Sequence, residues 1–352
     1  MLQAIRLHNF RCHSALAWEP PVRGALILGD NAQGKTSLLE AICFGLRLFS
    51  PRTSHIGALV RHGTRRFGLL LRLMSGTRRI IWEEGRLRTR LDDVPCRGSA
   101  EFLASSPSVV WFGNEDMALV RNGAEARRRH IDFLGVQWHP AYRREWSLYR
   151  RTLKSRNLLL KQRRCDTAAL RSYTCLLAAS GERITQMRSR LADLLAPHLY
   201  ASQKAIAGQS ESVELQYAPS NSRPLAEALE ASMEEDLRCG FTRFGPHRDD
   251  FKLMIQGVSA GEFGSEGQQR TLTLALQLAH ASLLREETGV SPVLLVDDVF
   301  GELDISRRRA FLSALPADSP LFITTTHDSW RTAPMDNSLE RYRLADGVLT
   351  HL

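Results

Sequence analysis

The chain has 352 residues, 43% of them hydrophobic, which is ample for the core of one large domain or two smaller ones and excludes a disordered or low-complexity protein. No apolar run is long enough to span a bilayer and residues 1–7 lack the apolar stretch of a secretion signal, so a cytoplasmic protein with no membrane association is expected. The formal net charge of +9 is unevenly placed: residues 47–97 sum to +8, residues 121–164 to +10 and the remainder to −9, an asymmetry that points to a polyanionic partner such as DNA.

Residues 1–28 read as two or three strands, with Leu2, Ile5 and Leu7 apolar, then Phe10-Arg11, then the buried strand Ala25-Leu26-Ile27-Leu28. That strand runs into Gly29-Asp30-Asn31-Ala32-Gln33-Gly34-Lys35-Thr36, the spacing Gly-x-x-x-x-Gly-Lys-[Ser/Thr], and a helix opens at Thr36-Ser37-Leu38. Strand, loop and helix stand in the order a phosphate-binding loop needs. The two glycines let backbone N–H groups turn toward an anion at a helix N-terminus, Lys35 can reach the outer phosphates of ATP, and the Thr36 hydroxyl can hold Mg²⁺.

A turn-forming stretch at 50–55 is followed by strands over 67–73 and 79–82, joined at Ser75-Gly76, and by a second hairpin over 83–94. Ser108-Val109-Val110-Trp111-Phe112 is another buried strand, ending in the loop Gly113-Asn114-Glu115-Asp116. From 123 to about 205 the pattern is helical. Tyr142, Trp146, Tyr149, Leu153 and Leu160 form one heptad stripe, and Leu170, Tyr173, Leu177, Ile184, Met187, Leu191 and Leu194 a second. These predict a helical hairpin with arms of about 25 residues, roughly 40 Å each at 1.5 Å per residue. Arginine clusters along both basic blocks, among them Arg65, Arg66, Arg127, Arg128, Arg143, Arg144, Arg150 and Arg151, are candidates for DNA phosphate contact.

Residues 207–222 read as a polar crossing, 225–239 as an acidic helix, and 241–251 as a salt-bridged turn dense in ionisable groups, with no chemistry of its own. Ser265-Glu266-Gly267-Gln268-Gln269-Arg270 then precedes a helix over 271–284, with Ser265 as N-cap and the Gly267 N–H placed to meet an anion. Val293-Leu294-Leu295-Val296-Asp297-Asp298 is a buried strand ending in two carboxylates. Asp297 suits the Mg²⁺ shell and Asp298 an attacking water. A further buried strand over 321–326 exits at His327. The six dispersed cysteines have no metal-ligand spacing and read as reduced core thiols.

Together these landmarks resemble the α/β head of ABC-type ATPases. They are nearer still to the RecF family of bacterial recombination-repair proteins, at Phe10-Arg11, the phosphate loop, Gly123 with Arg127-Arg128 and Asp132, Gly245-Pro246-His247-Arg248-Asp249-Asp250, Glu266-Gly267-Gln268-Gln269-Arg270-Thr271-Leu272, and Leu295-Val296-Asp297-Asp298-Val299-Phe300-Gly301-Glu302-Leu303-Asp304. The resemblance implies an ATPase head (lobe I) from 1–120 and 206–352, with a mostly helical insertion (lobe II) at 121–205. It implies that Ser265, Gly267 and Gln268 of one copy cap the γ-phosphate held by Lys35 of another, so that ATP joins a homodimer. In such a dimer Asp298 acts on water, His327 senses the γ-phosphate, and the closed heads clamp duplex DNA beside a single-stranded gap. RecR and RecO are the implied partners in loading RecA. Ala32 stands where the family commonly has a third glycine, tolerable at negative φ, and no Gln for the γ-phosphate-sensing loop is evident. A transporter ATPase is disfavoured by the basic helical insertion. A defence-type ATPase or a dead nucleotide site is the other alternative.

Overall fold

The computed structural model describes residues 1–162, 164, 166–207, 211–326 and 339–352. In β1 (Leu2–Phe10) the buried side chains include Leu2, Ile5, Leu7 and Phe10, and the strand pairs antiparallel with β2 (His13–Trp18). β3 (Gly24–Leu28) is buried throughout, as a strand covered on both faces must be, and leads into α1 (Lys35–Arg47). The alternating segments that follow form two hairpins, β4 (Arg66–Leu73) with β5 (Gly76–Glu83) and β6 (Arg86–Leu91) with β7 (Val94–Pro95). α2 (Ser99–Ala104) precedes the wholly buried β8 (Val109–Gly113).

Helices follow: α3 (Ala118–Arg121), α4 (Ala124–Trp138), α5 (Pro140–Leu160) and α6 (Thr167–Ala207). Pro140 disfavours helical geometry at His139, so α4 ends there, and the His139 ring accepts from the Ala141 N–H as the cap of α5. The expected hairpin is uneven, 21 residues in α5 against 41 in α6, which continues through Pro197. Both heptad stripes face inward at Tyr142, Tyr149, Leu160, Leu170, Leu177, Ile184 and Leu191.

The segment expected to be a polar crossing contains β9 (Val213–Ala218). The expected single acidic helix is two, α7 (Leu225–Ala231) and α8 (Met233–Cys239). They part at Ser232, whose hydroxyl bonds the Leu229 carbonyl. β10 (Asp250–Ile255), β11 (Val258–Ser259), α9 (Ala260–Phe263) and α10 (Glu266–Thr288) come next. β12 (Val293–Asp297), α11 (Ile305–Ala314) and β13 (Leu321–Thr325) precede a closing hairpin, β14 (Glu340–Ala345) and β15 (Val348–His351), for which the sequence reading had no counterpart.

Contacts divide the chain into two compact units: Met1–Asp116 with Ala205–Ala207 and His280–Leu352, and Met117–Lys204 with the described residues of Gly208–Ala279. The segment 211–279, expected in the head, thus groups with the helices. Its strand pair β9·β10 is tied to α6 and α4 by the Arg188–Asp249 and Arg127–Asp250 ion pairs.

The first unit is an α/β structure with two sheets. One has the order β15-β14-β3-β13-β12-β8, parallel except at β14·β15. The other is antiparallel, β2-β1-β4-β5-β6-β7. α1 lies between them, against β8, β12 and β13 on one side and β1, β4 and β5 on the other. Gly45 permits the approach to β4, since a Cβ there would sit 2.2 Å from the Leu71 side chain. Phe10, Phe44 and Phe67 meet edge-to-face in that core, with centroids 5.3 and 5.9 Å apart. The loop after β3 therefore emerges at the carboxyl end of an interior strand, the usual ligand position in open α/β sheets. In the second unit β11-β10-β9 is the sheet; Tyr149, Leu177, Ala178, Leu225 and Leu229 form an apolar cluster among the helices, and Arg188 of α6 reaches Asp249 just before β10.

Among the described residues no helix is long and apolar enough to cross a membrane. The cysteines depart from expectation: Cys43 is buried, but Cys12, Cys175 and Cys239 are exposed, and Cys165 lies outside the described residues.

Candidate nucleotide site

Residues 29–34 form the turn between β3 and α1, and Gly34 is the N-cap of α1 at φ 94°, a conformation that favours glycine. A Cβ on Gly34 would also lie 2.7 Å from the Cys12 and His13 side chains, and the His13 ring Nε2 donates to the Gly34 carbonyl at 3.1 Å. The β1–β2 turn thus braces the loop from outside, a contact no motif announced. Gln33 is braced from the other end of the chain, its Oε1 accepting from the Asp346 N–H at 2.9 Å in the β14–β15 turn. Asp30, Asn31 and Ala32 are exposed at the loop tip. The negative φ expected at Ala32 is not found: it adopts +66°, a left-handed conformation costing a non-glycine residue about 1–2 kcal/mol. Strain of this kind persists where surrounding structure imposes it.

Lys35 is buried, and its Nζ donates to the carbonyls of Gly29 at 2.6 Å and Asp30 at 2.8 Å. Burial lowers its pKa, while Asp298, Asp297 and Asp30 nearby work to keep it charged. Ser37, the next residue but one, is buried at the first turn of α1, with its hydroxyl 3.7 Å from the Cys12 Sγ.

The Thr36 Oγ1 donates to Asp297 Oδ1 at 2.9 Å, and the Thr324 Oγ1 donates to the same oxygen at 2.6 Å. The parallel pairing of β12 with β13 sets Thr324 directly beside Asp297. Both Thr36 and Asp297 offer hard oxygen donors, which fits Mg²⁺, an ion that takes one or two protein oxygens and fills its shell with phosphate and water. Asp298 follows β12 at φ 48°, its N–H bonded to the Thr324 carbonyl. Glu115, in the loop after β8, is a third carboxyl near Asp297. Burial raises its pKa, and its Oε1 has no hydrogen-bond partner among the described residues. The sequence offered Glu115 only as part of the loop that ends the strand over 108–112. His327 lies outside the described residues.

Burial also raises the Asp297 pKa, and the adjacent Asp298 charge adds to it against the donors Thr324 and Thr36. For an acid raised in the folded state the sign is unfavourable above its unfolded value: stability is fullest below that value and falls as pH climbs through the folded pKa. Asp297→Asn, which keeps the acceptor oxygen, is expected to raise the nucleotide-free melting midpoint at pH 7 by roughly 2–4 °C, the response of a domain this size to about 1 kcal/mol. It should also flatten the acid-side pH dependence. A midpoint that drops at pH 7 would contradict this.

In the second unit, Ser265 and Gln268 close a capping box at the start of α10: the Gln268 N–H reaches Ser265 Oγ at 3.3 Å and the Ser265 N–H reaches Gln268 Oε1 at 2.9 Å. Gly267 lies in the first turn, its carbonyl accepting from Thr271 Oγ1 at 2.8 Å. Gln269, missed in the sequence, fixes this corner. Its Nε2 donates to the carbonyls of Ala260, Gly261 and Gly264, and its Oε1 accepts from Arg121 at 2.8 Å.

The candidate DNA arginines divide. Arg65, Arg66, Arg144, Arg150 and Arg151 are exposed and Arg143 is half-buried. Arg127 is bound by Asp250 at 2.8 Å, and Arg128 donates to the Asp249 carbonyl at 2.6 Å. The ionisable turn at 246–250, read as a loop without chemistry, is the partner of those two and of a wholly buried Arg188. Its His247 ring accepts from Tyr149 OH at Nδ1 and donates to the Thr242 carbonyl from Nε2, and burial lowers its pKa to about 4, so the ring is neutral at pH 7.

An AAA-domain family profile matches residues 4–68. The chain is 36% identical to the DNA replication and repair protein RecF of Acaryochloris marina (strain MBIC 11017), over 93% of this chain and 92% of the relative. It is 35% identical to the protein of the same name from Moorella thermoacetica (strain ATCC 39073 / JCM 9320), over 98% and 95%. Among solved structures, the recombination mediator RecF with ATP superposes with a TM-score of 0.89 at 29% identity, covering 100% of this chain and 97% of that one. An SMC head bound to the winged-helix domain of ScpA matches at a TM-score of 0.57 and 14% identity, which speaks to the ABC-ATPase head fold alone. This chain belongs to the RecF family of DNA replication and repair proteins.

Proposed function

We propose that the protein is an ATP-operated DNA-binding switch of recombinational repair and replication-fork maintenance. The observation that supports this best is the meeting of Lys35, Thr36 and Asp297 at one end of the parallel sheet. The backbone of 29–37 and Lys35 would hold the phosphates of ATP. Thr36 and Asp297 would hold Mg²⁺, which when bound offsets charge on the phosphate oxygens. Asp298 would orient or deprotonate the attacking water, and His327 would contact the γ-phosphate. Ser265, Gly267 and Gln268 of a second copy would complete the site, so the triphosphate joins a homodimer that clamps duplex DNA beside a gap. Slow hydrolysis would release it. The solved RecF structures with ATP and ATPrS, from the RecFOR pathway, support ATP as the ligand. RecO and RecR would be the partners in RecA loading.

Light scattering and anisotropy on a gapped duplex test this directly. ATP with Mg²⁺ is expected to give a dimer with tightened DNA binding, and ADP a monomer. A protein that stays monomeric with ATP and binds gapped DNA equally without nucleotide would sink the proposal.

A further inference from the structure

We propose that the outward face of the antiparallel sheet is a docking surface for the phosphate backbone of a nucleic-acid duplex, centred on Arg79, Arg88 and Arg90. This rests on the DNA-binding reading above and assigns it a place. The strand period of two puts Arg86, Arg88 and Arg90 of β6 on one exposed face, with Leu87, Thr89 and Leu91 on the other. Register carries that face across the sheet: Arg79 lies opposite Arg90, Ile81 opposite Arg88, and Arg66 opposite Glu83. The reverse face holds the buried Phe67, Leu69, Leu71 and Ile80 of the core.

The fold needs apolar residues on one side of this sheet and only solubility on the other, so mixed charges would serve. Instead Arg79 and Arg90 are direct cross-strand neighbours, an arrangement that destabilises a sheet. A polyanion laid over the face would offset that cost. The acids at hand do little: Asp93 meets Arg79 at 3.2 Å and Glu83 meets Arg66 at 3.8 Å, both as exposed pairs. Arg86 lies across from Glu83, but Arg88 and Arg90 lie across from Ile81 and Arg79, so neither has an acid opposite it. A cleft of about 270 Å³ lined by Arg79, Ile81, Arg88 and Arg90 opens there.

Two further observations select a duplex backbone as the occupant. Unpaired strands are held by stacking on aromatic rings, and the aromatic residues of β4 and β5, Phe67 and Trp82, alternate onto the reverse face, where they stack on each other. Guanidinium groups without rings suit phosphate contact that ignores sequence. In the other basic block Arg127, Arg128 and Arg156 are spent on internal ion pairs and carbonyls and Arg144, Arg150 and Arg151 are exposed along α5, whereas Arg79, Arg88 and Arg90 share one face of the sheet.

The test is the Arg88→Gln/Arg90→Gln double variant, with blunt duplex binding followed by anisotropy from 50 to 200 mM salt and ATP-dependent dimerisation followed by light scattering. Losing two phosphate contacts should lower the slope of log K against log salt by about 1.8, at about 0.9 per contact. Dimerisation should be unchanged, since neither residue touches the nucleotide site. Arg79→Gln should lower the slope by about half as much. Wild type that binds duplex with the same slope as the variant overturns the assignment of this face and leaves the DNA-binding reading standing. Wild type that binds no duplex overturns both. A variant that loses an acidic protein partner while keeping duplex affinity also overturns the proposal.

Discussion

Arg188→Ala is expected to cost about 3–5 kcal/mol of unfolding free energy, the range for breaking a buried ion pair from one side. The guanidinium is fully buried and binds both oxygens of Asp132 at 2.8 and 3.0 Å, Asp249 Oδ2 at 3.2 Å and the Pro246 carbonyl at 2.5 Å. Burial works to lower its pKa, but Asp132, Tyr142 and Asp249 together outweigh that and raise it well above the ordinary value, so Arg188 stays a cation. Trp146 and Phe251 add ring faces at 5.2 and 5.7 Å. Alanine would leave Asp132 and Asp249 buried without their shared cation. Asp132, whose pKa burial already raises, would then favour the protonated form, so the destabilisation should shrink toward acid pH and grow toward alkaline pH. Urea unfolding at pH 5 and pH 8 reads this, with Arg188→Met/Asp132→Asn as the paired replacement expected to recover part of the loss. A loss under about 1 kcal/mol, equal at both pH values, would show that the hub holds nothing together.

This hub marks the limit of what the residues disclosed on their own. The parallel sheet was legible because strands covered on both faces are unbroken apolar runs, as at 25–28, 109–112 and 293–296. The phosphate loop was legible because Gly34, Lys35 and Thr36 must be neighbours in sequence to be neighbours in space. Arg188 and Asp132 are 56 positions apart, and each alone reads as a solvated charge on a helix. The same holds for Thr324, which completes the Asp297 carboxylate from the adjoining strand, and for Gln269, whose four bonds look in sequence like one more polar residue in a cap. The grouping of 211–279 with the helices was hidden for a related reason. Val213–Ala218 is short and partly polar, and its strand character comes from pairing with β10 rather than from its own pattern. Ala32 shows the converse, a local rule broken inside a motif that is otherwise intact.

Lys35→Ala is expected to weaken ATP binding by roughly 100- to 20,000-fold, from the loss of about two charge-assisted hydrogen bonds at 1.5–3 kcal/mol each. With no ligand the ammonium is held by the Gly29 and Asp30 carbonyls, at 2.6 and 2.8 Å, with three carboxylates in its surroundings. Those carbonyls belong to a loop whose tip is exposed, so water can replace the lysine there and the melting midpoint should change little. Affinity is different, because no water supplies a positive charge to the outer phosphates. ATP should therefore lose more than ADP, and ATP-dependent dimerisation should disappear with it. Lys35→Arg separates charge from shape. It keeps the cation but brings a planar fork to a position only 6% exposed, where a compact ammonium fits between two carbonyls, so binding should recover only in part. Titration calorimetry with both nucleotides checks this. An alanine variant that binds ATP within about threefold of wild type, a difference of under 1 kcal/mol, would mean that the loop backbone alone carries the phosphates and that Lys35 serves only to hold the turn.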